Sequence, residues 1–127
     1  MAGEREGIDD VSRWFGIRWQ HRNETRMTIR PVLINAGGLL SGVATYAMVD
    51  YTMGSTLRAE TSEDEGIATV NIAINYVQTA TEGDVICTTT LDRRNRRLAV
   101  MRSEVRADDD RLLATAIGSY TIFPRRK

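Results

Sequence analysis

The stretch LLSGVATYAMVDYTMGSTLRAE, residues 39–60, decides the fold of this chain. Its apolar residues recur in adjacent pairs every four positions, which is the spacing of one helical face and not of a strand. They are Leu39, Leu40, Val43, Ala44, Ala47, Met48 and Tyr51. Ser41 lies where an N-cap is expected, because its side-chain oxygen can accept a hydrogen bond from the first turn. The sequence therefore predicts one long helix over residues 39–60.

Strands are predicted on both sides of the helix. A short helix is predicted over residues 8–15, with Asp9 or Asp10 near its cap. After it, two segments of alternating apolar and polar residues, 17–21 and 25–30, flank a polar turn, which is typical of a β-hairpin. Turn-like residues later separate three further strands, at residues 85–91, 98–105 and 112–123. This order of elements favours an α+β domain, in which an antiparallel sheet wraps around one long central helix.

The strand directly after the helix has the clearest alternation, over residues 69–76, following an acidic loop at residues 60–66. One face of this strand is predicted to carry Val70, Ile72, Ile74 and Tyr76. The other face is predicted to carry Thr69, Asn71, Ala73 and Asn75. Thr69 is thus expected on the face opposite to the apolar side chains.

Composition limits the possible classes of protein. The chain has 127 residues, which suits a single domain over residues 1–127, with residues 1–14 as an N-terminal extension or short helix. Basic and acidic residues both number 17, so the formal charge is zero and neither nucleic acid nor a membrane is favoured as a partner. One cysteine and one histidine provide no cluster for a zinc site. Because no secretory signal or anchor is recognised, we expect a cytoplasmic protein without a metal.

Asp50 is the first candidate for chemistry. It is the only charged residue between Arg30 and Arg58, and it lies in the most apolar helix of the chain. No cation lies three or four positions away along the helix, so the carboxylate would be desolvated unless donors from elsewhere hold its charge. An Asp on the solvent face, or one bonded to a backbone amide, is the alternative that the pattern leaves open.

A glycine-containing loop, residues 35–42, leads into the predicted helix. Free backbone amides and the helix dipole can bind an anion or a developing oxyanion there, although glycines before a helix also serve simply as turn residues. Ser41 and Asp50 are nine residues apart, about 13 Å along one helix, which is too far for both to act on one carbon. If both act, they come from different subunits.

The loop and the helix together resemble the active-site pattern of hotdog-fold acyl-CoA thioesterases, in the PaaI-like (phenylacetic-acid-degradation) and 4-hydroxybenzoyl-CoA thioesterase group. That pattern is Asn-x-x-Gly-x-x-His-Gly-Gly, with an acidic residue further along the same helix. Asn35, Gly38, Gly42 and Asp50 match this pattern, and Thr69 falls where many members of the family carry a Ser or Thr in the site. Two positions depart from the pattern, since Ser41 replaces the family His and Val43 replaces the second Gly.

The resemblance implies a hydrolase that converts an acyl-CoA thioester to a free acid and CoA. Asp50 would be the nucleophile or general base, the Gly42 amide the oxyanion donor, and Thr69 would position the water or the carboxylate. Asn35 would hydrogen-bond near the thioester, or serve only as a turn residue. No cofactor is implied apart from coenzyme A as part of the substrate. A homodimer or homotetramer with active sites at the subunit interface is expected.

Substrate contacts are expected from Ser41 and Gly38 of the loop and from a compact basic turn. Guanidinium groups of Arg93, Arg94 and Arg96 suit the phosphates of coenzyme A, although a solvated turn rich in arginine is the alternative. A second candidate function is non-catalytic binding of acyl-CoA or of an aromatic acid, because Ser41 replaces the family His.

Overall fold

One long helix lies across one face of a six-stranded antiparallel sheet, in a computed structural model that describes residues 4–125. The ends of the predicted domain, residues 1–3 and 126–127, lie outside the described residues. The elements in chain order are α1 (Asp10–Phe15), β1 (Arg18–His21), β2 (Glu24–Thr28), a 3₁₀ turn (Pro31–Leu33), α2 (Gly42–Arg58), β3 (Glu65–Tyr76), β4 (Asp84–Arg94), β5 (Leu98–Ala107) and β6 (Leu112–Pro124). The strands are ordered β1-β2-β4-β5-β6-β3, and every neighbouring pair is antiparallel. The predicted α+β architecture is confirmed.

The start of α2 is set by its N-cap. Ser41 is the cap, and its hydroxyl oxygen accepts a hydrogen bond from the Val43 amide at 3.2 Å. The predicted start at Leu39 is three residues too early, because before the cap Leu39 lies in a bend and Leu40 forms an isolated β-bridge with Ile34. The apolar side chains of these two residues keep the helical spacing, but the backbone hydrogen bonds of the helix do not extend to them.

The hydrophobic core lies between α2 and the sheet. Fully buried side chains of α2 are Met48, Val49, Met53 and Leu57, and those of the sheet include Met27, Val85, Cys87, Met101 and Val105. Burial of a side chain of this size contributes about 1.5–3 kcal/mol. Gly118 of β6 permits close packing, because a Cβ at this position would lie 2.5 Å from the Met53 sulfur.

Two strands are longer than predicted. β3 begins at Glu65, inside the stretch expected to be an acidic loop. β4 continues to Arg94, so Arg93 and Arg94 belong to a strand and not to a basic turn. Arg93 and Arg94 both pair with residues of β5, since the backbone hydrogen bonds of a ladder form with polar residues as well as with apolar ones.

The N-terminal predictions are confirmed. α1 lies within the predicted range, and its N-cap Asp9 accepts a hydrogen bond from the Ser12 amide at 2.8 Å. β1 and β2 form the predicted hairpin. Within residues 4–125, no helix has the length and apolarity needed to cross a membrane.

Candidate active site

A β-bulge at Val70 turns Thr69 toward the helix. Thr69 pairs with Tyr120 of β6, and Asn71 pairs with the adjacent Ser119. Val70 has no partner of its own and is therefore an extra residue in β3. Because side chains alternate along a strand, the extra residue reverses the alternation between the two halves of β3. The prediction that Thr69 lies on the face opposite to Ile72 is therefore wrong, and both side chains face α2.

Asp50 lies on α2 across from the bulge, and two side chains donate hydrogen bonds to one of its oxygens. The Thr69 hydroxyl donates to Asp50 Oδ1 at 2.8 Å. The Tyr120 hydroxyl donates to the same oxygen in a short hydrogen bond and lies 2.8 Å from the Asp50 carbonyl oxygen. Asp50 is half-buried, and within residues 4–125 it forms no ion pair. Neutral donors from β3 and β6 thus supply the stabilisation that α2 does not.

Tyr120 was not identified from the sequence. The residue is 2% exposed, and burial, followed by the hydrogen bond to Asp50, raises the pKa of the Tyr120 hydroxyl above its ordinary value. The hydroxyl is therefore protonated near neutral pH and acts as a donor. A single tyrosine in an apolar strand is typical of core, and its partner lies 70 residues away, so local pattern carried no signal for this contact.

Asp50, Thr69 and Tyr120 line an open cleft of about 570 Å³. Further walls come from Ile8, Arg22, Tyr51, Gly54, Ser55, Arg58, Ala59, Ile67 and Ala68. Gly54 lies one helical turn after Asp50, and a Cβ built there would meet no atom within 4 Å. An apolar wall with a few converging polar groups is typical of a small-molecule site.

Tyr51 attaches the N-terminal segment beside this cleft. Its hydroxyl contacts both carboxylate oxygens of Asp9, at 2.9 and 3.0 Å. Burial, together with the hydrogen bond to Asp9, raises the pKa of Tyr51 to about 12. The contact holds α1 against α2 and thereby keeps Ile8 at the wall of the cleft.

The glycine-containing loop lies elsewhere, at the N-terminal end of α2. Asn35 and Gly42 line a second cavity of about 290 Å³, together with Tyr76. Gly42 precedes Asp50 by eight residues, which is about 12 Å along the helix axis. The predicted site residues therefore fall into two groups within one chain, Asn35 with Gly42 and Asp50 with Thr69.

Asn35 organises the loop. Its Oδ1 accepts hydrogen bonds from the amides of Gly37 at 2.9 Å and Leu39 at 3.2 Å. Gly38 has φ +83°, a left-handed conformation that glycine adopts without strain. The turn role that the sequence left open for Asn35 is present, and its side-chain nitrogen makes no hydrogen bond within residues 4–125.

Gly42 presents a free amide at the helix N-terminus. The first N–H of a helix has no intrahelical acceptor, and none of residues 4–125 accepts a hydrogen bond from this one. The Tyr76 hydroxyl donates to the Gly42 carbonyl at 2.7 Å, and its ring packs so close that a Cβ at Gly42 would lie 3.1 Å away. Ser41 uses its hydroxyl oxygen as the cap, and its hydroxyl proton has no acceptor among residues 4–125.

The predicted arginine cluster is divided between a strand and a turn. Arg94 forms an ion pair with Glu65 at 3.2 Å and donates to the Glu60 carbonyl, so its guanidinium is engaged in the fold. Arg93 and Arg96 are exposed. None of the three lines the Asp50 cleft or the cavity beside Gly42.

The single cysteine is a core residue. Cys87 has no exposed surface, and burial raises the pKa of its thiol to about 11. Residues 4–125 contain no group of three or more side chains that could hold a metal ion.

Comparison with known proteins gives one family match and many structural matches. The family model of the thioesterase superfamily matches residues 37–114, a stretch that includes Gly42, Asp50 and Thr69. No curated protein is significantly similar in sequence.

Among solved structures, a thioesterase from Haemophilus influenzae is similar with 15% identity over 86% of this chain and 78% of that chain, at a TM-score of 0.79. A Bacillus halodurans protein, solved with CoA, is 19% identical over 89% of this chain and 75% of that one, at a TM-score of 0.84. A conserved protein from Pseudomonas aeruginosa is 26% identical over 95% of this chain and 89% of that one, at a TM-score of 0.75. These proteins share the fold.

Proposed function

This chain belongs to the thioesterase superfamily, and from that premise we propose that it hydrolyses an acyl-CoA thioester to a free acid and CoA. One observation carries the proposal. The Asp50 carboxylate, held by two neutral donors and free of ion pairs within residues 4–125, lies at the wall of an open cleft. The CoA bound to the Bacillus halodurans relative supports CoA as the thiol part of the substrate.

The Asp50 carboxylate suits two routes of thioester hydrolysis. As a nucleophile it attacks the carbonyl carbon, expels the CoA thiolate and forms a mixed anhydride, which water then cleaves. As a general base it takes a proton from the water that attacks the same carbon. Each route consumes one water and yields a carboxylic acid and the CoA thiol.

We assign the oxyanion site to the Gly42 amide of a second subunit. Within one chain, about 12 Å of helix separates Gly42 from Asp50, so the two cannot contact one carbonyl. β3 is an edge strand of the described sheet, and Val70 and Tyr76 on it are 60% and 53% exposed. Such an edge is a surface that a second copy can cover. A homodimer, or a homotetramer built from dimers, would complete the site.

The other predicted site residues differ in the contacts that support their proposed roles. Thr69 donates to the Asp50 carboxylate, which supports a positioning role. The side-chain nitrogen of Asn35 has no acceptor among residues 4–125, which supports donation to the substrate near Gly42. Ser41 and Gly38 are retained as contacts of the loop with substrate. Arg93 and Arg96 are retained as contacts of CoA phosphates because both residues are exposed, whereas Arg94 would first have to leave Glu65.

Non-catalytic binding of acyl-CoA or of an aromatic acid is the second candidate. One observation favours it, namely that Ser41 occupies the position of the family His and commits its hydroxyl oxygen to capping α2. A protein of this kind would bind acyl-CoA and release no thiol.

The test is thiol release from a panel of aromatic and straight-chain acyl-CoAs. We expect turnover by the wild type and a loss of at least about 100-fold in kcat for Asp50→Asn, as for removal of a general base. Asp109→Asn is the matched control, because Asp109 lies in a turn and, within residues 4–125, forms its ion pair with Arg111 alone. Tight acyl-CoA binding without turnover would establish the second candidate, and full activity of Asp50→Asn would refute the role of Asp50. A stable monomer in analytical ultracentrifugation would refute the shared site.

A further inference from the structure

We propose that Tyr120 is a positioning residue that, together with Thr69, holds Asp50 Oδ1 and so leaves Oδ2 as the oxygen that reacts. The inference rests on the proposed function and adds to it a residue from β6 and the identity of the reacting oxygen.

Hydrogen bonds to Asp50 converge on one oxygen. Thr69 and Tyr120 both donate to Oδ1, and within residues 4–125 no donor reaches Oδ2. A carboxylate oxygen accepts along two lone pairs, so two donors occupy Oδ1. Attack on a carbonyl carbon, or removal of a proton from water, needs a free lone pair. Oδ2 is the oxygen that retains one.

The position of Tyr120 is fixed by its strand and by its burial. Its backbone pairs with Thr69 on one side and with Ala99 on the other. A buried hydroxyl without a partner is costly, and this hydroxyl reaches both the carboxylate and the main-chain carbonyl of Asp50. Tyr120 therefore orients both the side chain and the backbone of the same residue.

The donors orient the carboxylate without neutralising it. A guanidinium or ammonium group in this place would form an ion pair with the carboxylate, whereas the hydroxyl groups of Thr69 and Tyr120 bring no charge. Burial raises the pKa of Tyr120, so its hydroxyl keeps the proton and the direction of donation does not change. Two hydroxyl groups are thus suited to a carboxylate that must be both oriented and reactive.

Tyr120→Phe tests the proposal because it removes one oxygen and keeps the ring. We expect kcat to fall by about 10-fold or more and KM to change little, which is the loss of one hydrogen bond to a charged group. Thr89→Val is the matched control, since it removes a buried hydroxyl that bonds Ser103 at 2.7 Å between β4 and β5, away from the cleft. We expect this control to lower Tm and to leave kcat unchanged. An unchanged kcat in Tyr120→Phe would overturn the proposal.

A double-mutant cycle separates positioning from a structural role. If Tyr120 acts through the carboxylate, adding Tyr120→Phe to Asp50→Asn does not lower the residual rate further. An equal loss in both backgrounds would show a structural role and overturn the proposal.

Infrared spectroscopy detects the hydrogen bond between Tyr120 and Asp50 without an activity measurement. The difference between wild type and Asp50→Asn identifies the carboxylate stretching bands, and Tyr120→Phe should shift them. Unshifted bands in Tyr120→Phe would refute the hydrogen bond. If the bands shift but the wild type hydrolyses no thioester, the contact is confirmed, and the proposed function and the role of Oδ2 as the reacting oxygen are refuted.

Discussion

Replacing Gly42 with proline would delete one N–H group from the helix N-terminus with little other change. Gly42 is the first residue of α2, where proline is common because the missing N–H has no intrahelical acceptor. Ser41 already has φ −61° and ψ 133°, the extended conformation that a residue before proline adopts. The substitution therefore removes the proposed oxyanion donor and preserves the path of the chain.

The expected effect on catalysis is large and the effect on stability is small. Loss of one oxyanion donor lowers kcat by about 10²–10³-fold, or about 2.7–4 kcal/mol of transition-state stabilisation. No hydrogen bond within residues 4–125 is lost. The new Cβ would lie 3.1 Å from the end of the Tyr76 side chain, which must move by a few tenths of an ångström. Gly42→Ala introduces the same contact and keeps the N–H, so the difference between the two variants isolates the amide.

The assay is thiol release at saturating acyl-CoA, with Tm measured on the same preparations. We expect Gly42→Ala to retain most of the wild-type kcat and Gly42→Pro to lose it at similar Tm. Equal kcat values for the two variants would show that this amide does not bind the oxyanion.

Mixing two inactive variants then tests whether the site is shared. A dimer of one Gly42→Pro subunit and one Asp50→Asn subunit contains one site with both defects and one site with none. Random exchange of subunits at equal amounts should restore about one quarter of the wild-type activity. A mixture that stays inactive after exchange would place both groups in one chain and refute the shared site.

Other substitutions test the cleft and the core. Gly54→Ala should raise the free energy of unfolding by about 0.5–1 kcal/mol, because glycine is unfavourable inside a helix and the new Cβ meets open space. Gly54→Leu should lower kcat/KM for long acyl chains more than for short ones, and an unchanged preference would place the acyl group elsewhere. Cys87 should not react with a disulfide reagent at pH 8 until guanidinium unfolds the protein, because a thiol whose pKa is raised to about 11 stays protonated there; rapid labelling of the native protein would contradict its burial. Gly118→Ala should lower the free energy of unfolding by about 1–3 kcal/mol in urea titrations, since its Cβ would lie 2.5 Å from the Met53 sulfur. An unchanged midpoint would mean that Met53 moves aside freely.

The sequence predicts those features that depend on neighbours along the chain. The helical spacing around Met48 and the cap at Ser41 are local, and they locate α2 to within three residues. Asp50 is conspicuous because one charge in a long apolar stretch is visible without any knowledge of the fold. The extents of β3 and β4 are less accurate, because a ladder extends as far as its partner strand allows and side-chain polarity does not end it.

The contacts of Asp50 depend on strand pairing and could not be predicted in the same way. Alternation over residues 69–76 is regular in the sequence, and it gives no sign that one residue is extra. The bulge exists because β3 and β6 pair on both sides of Val70 in registers that differ by one residue. Only that pairing brings Thr69 and Tyr120 to the same carboxylate.

The bulge has a consequence for comparing relatives by alignment. A relative that lacks the extra residue at Val70 would carry its equivalent of Thr69 one place nearer to Ile72 along the chain. An alignment without a gap would then match Thr69 with an outward-facing residue and report the hydroxyl as missing. The equivalent residue should instead be found by counting from the strand position paired with Tyr120, since that pairing, and not the distance from Asp50 in sequence, keeps the hydroxyl beside the carboxylate.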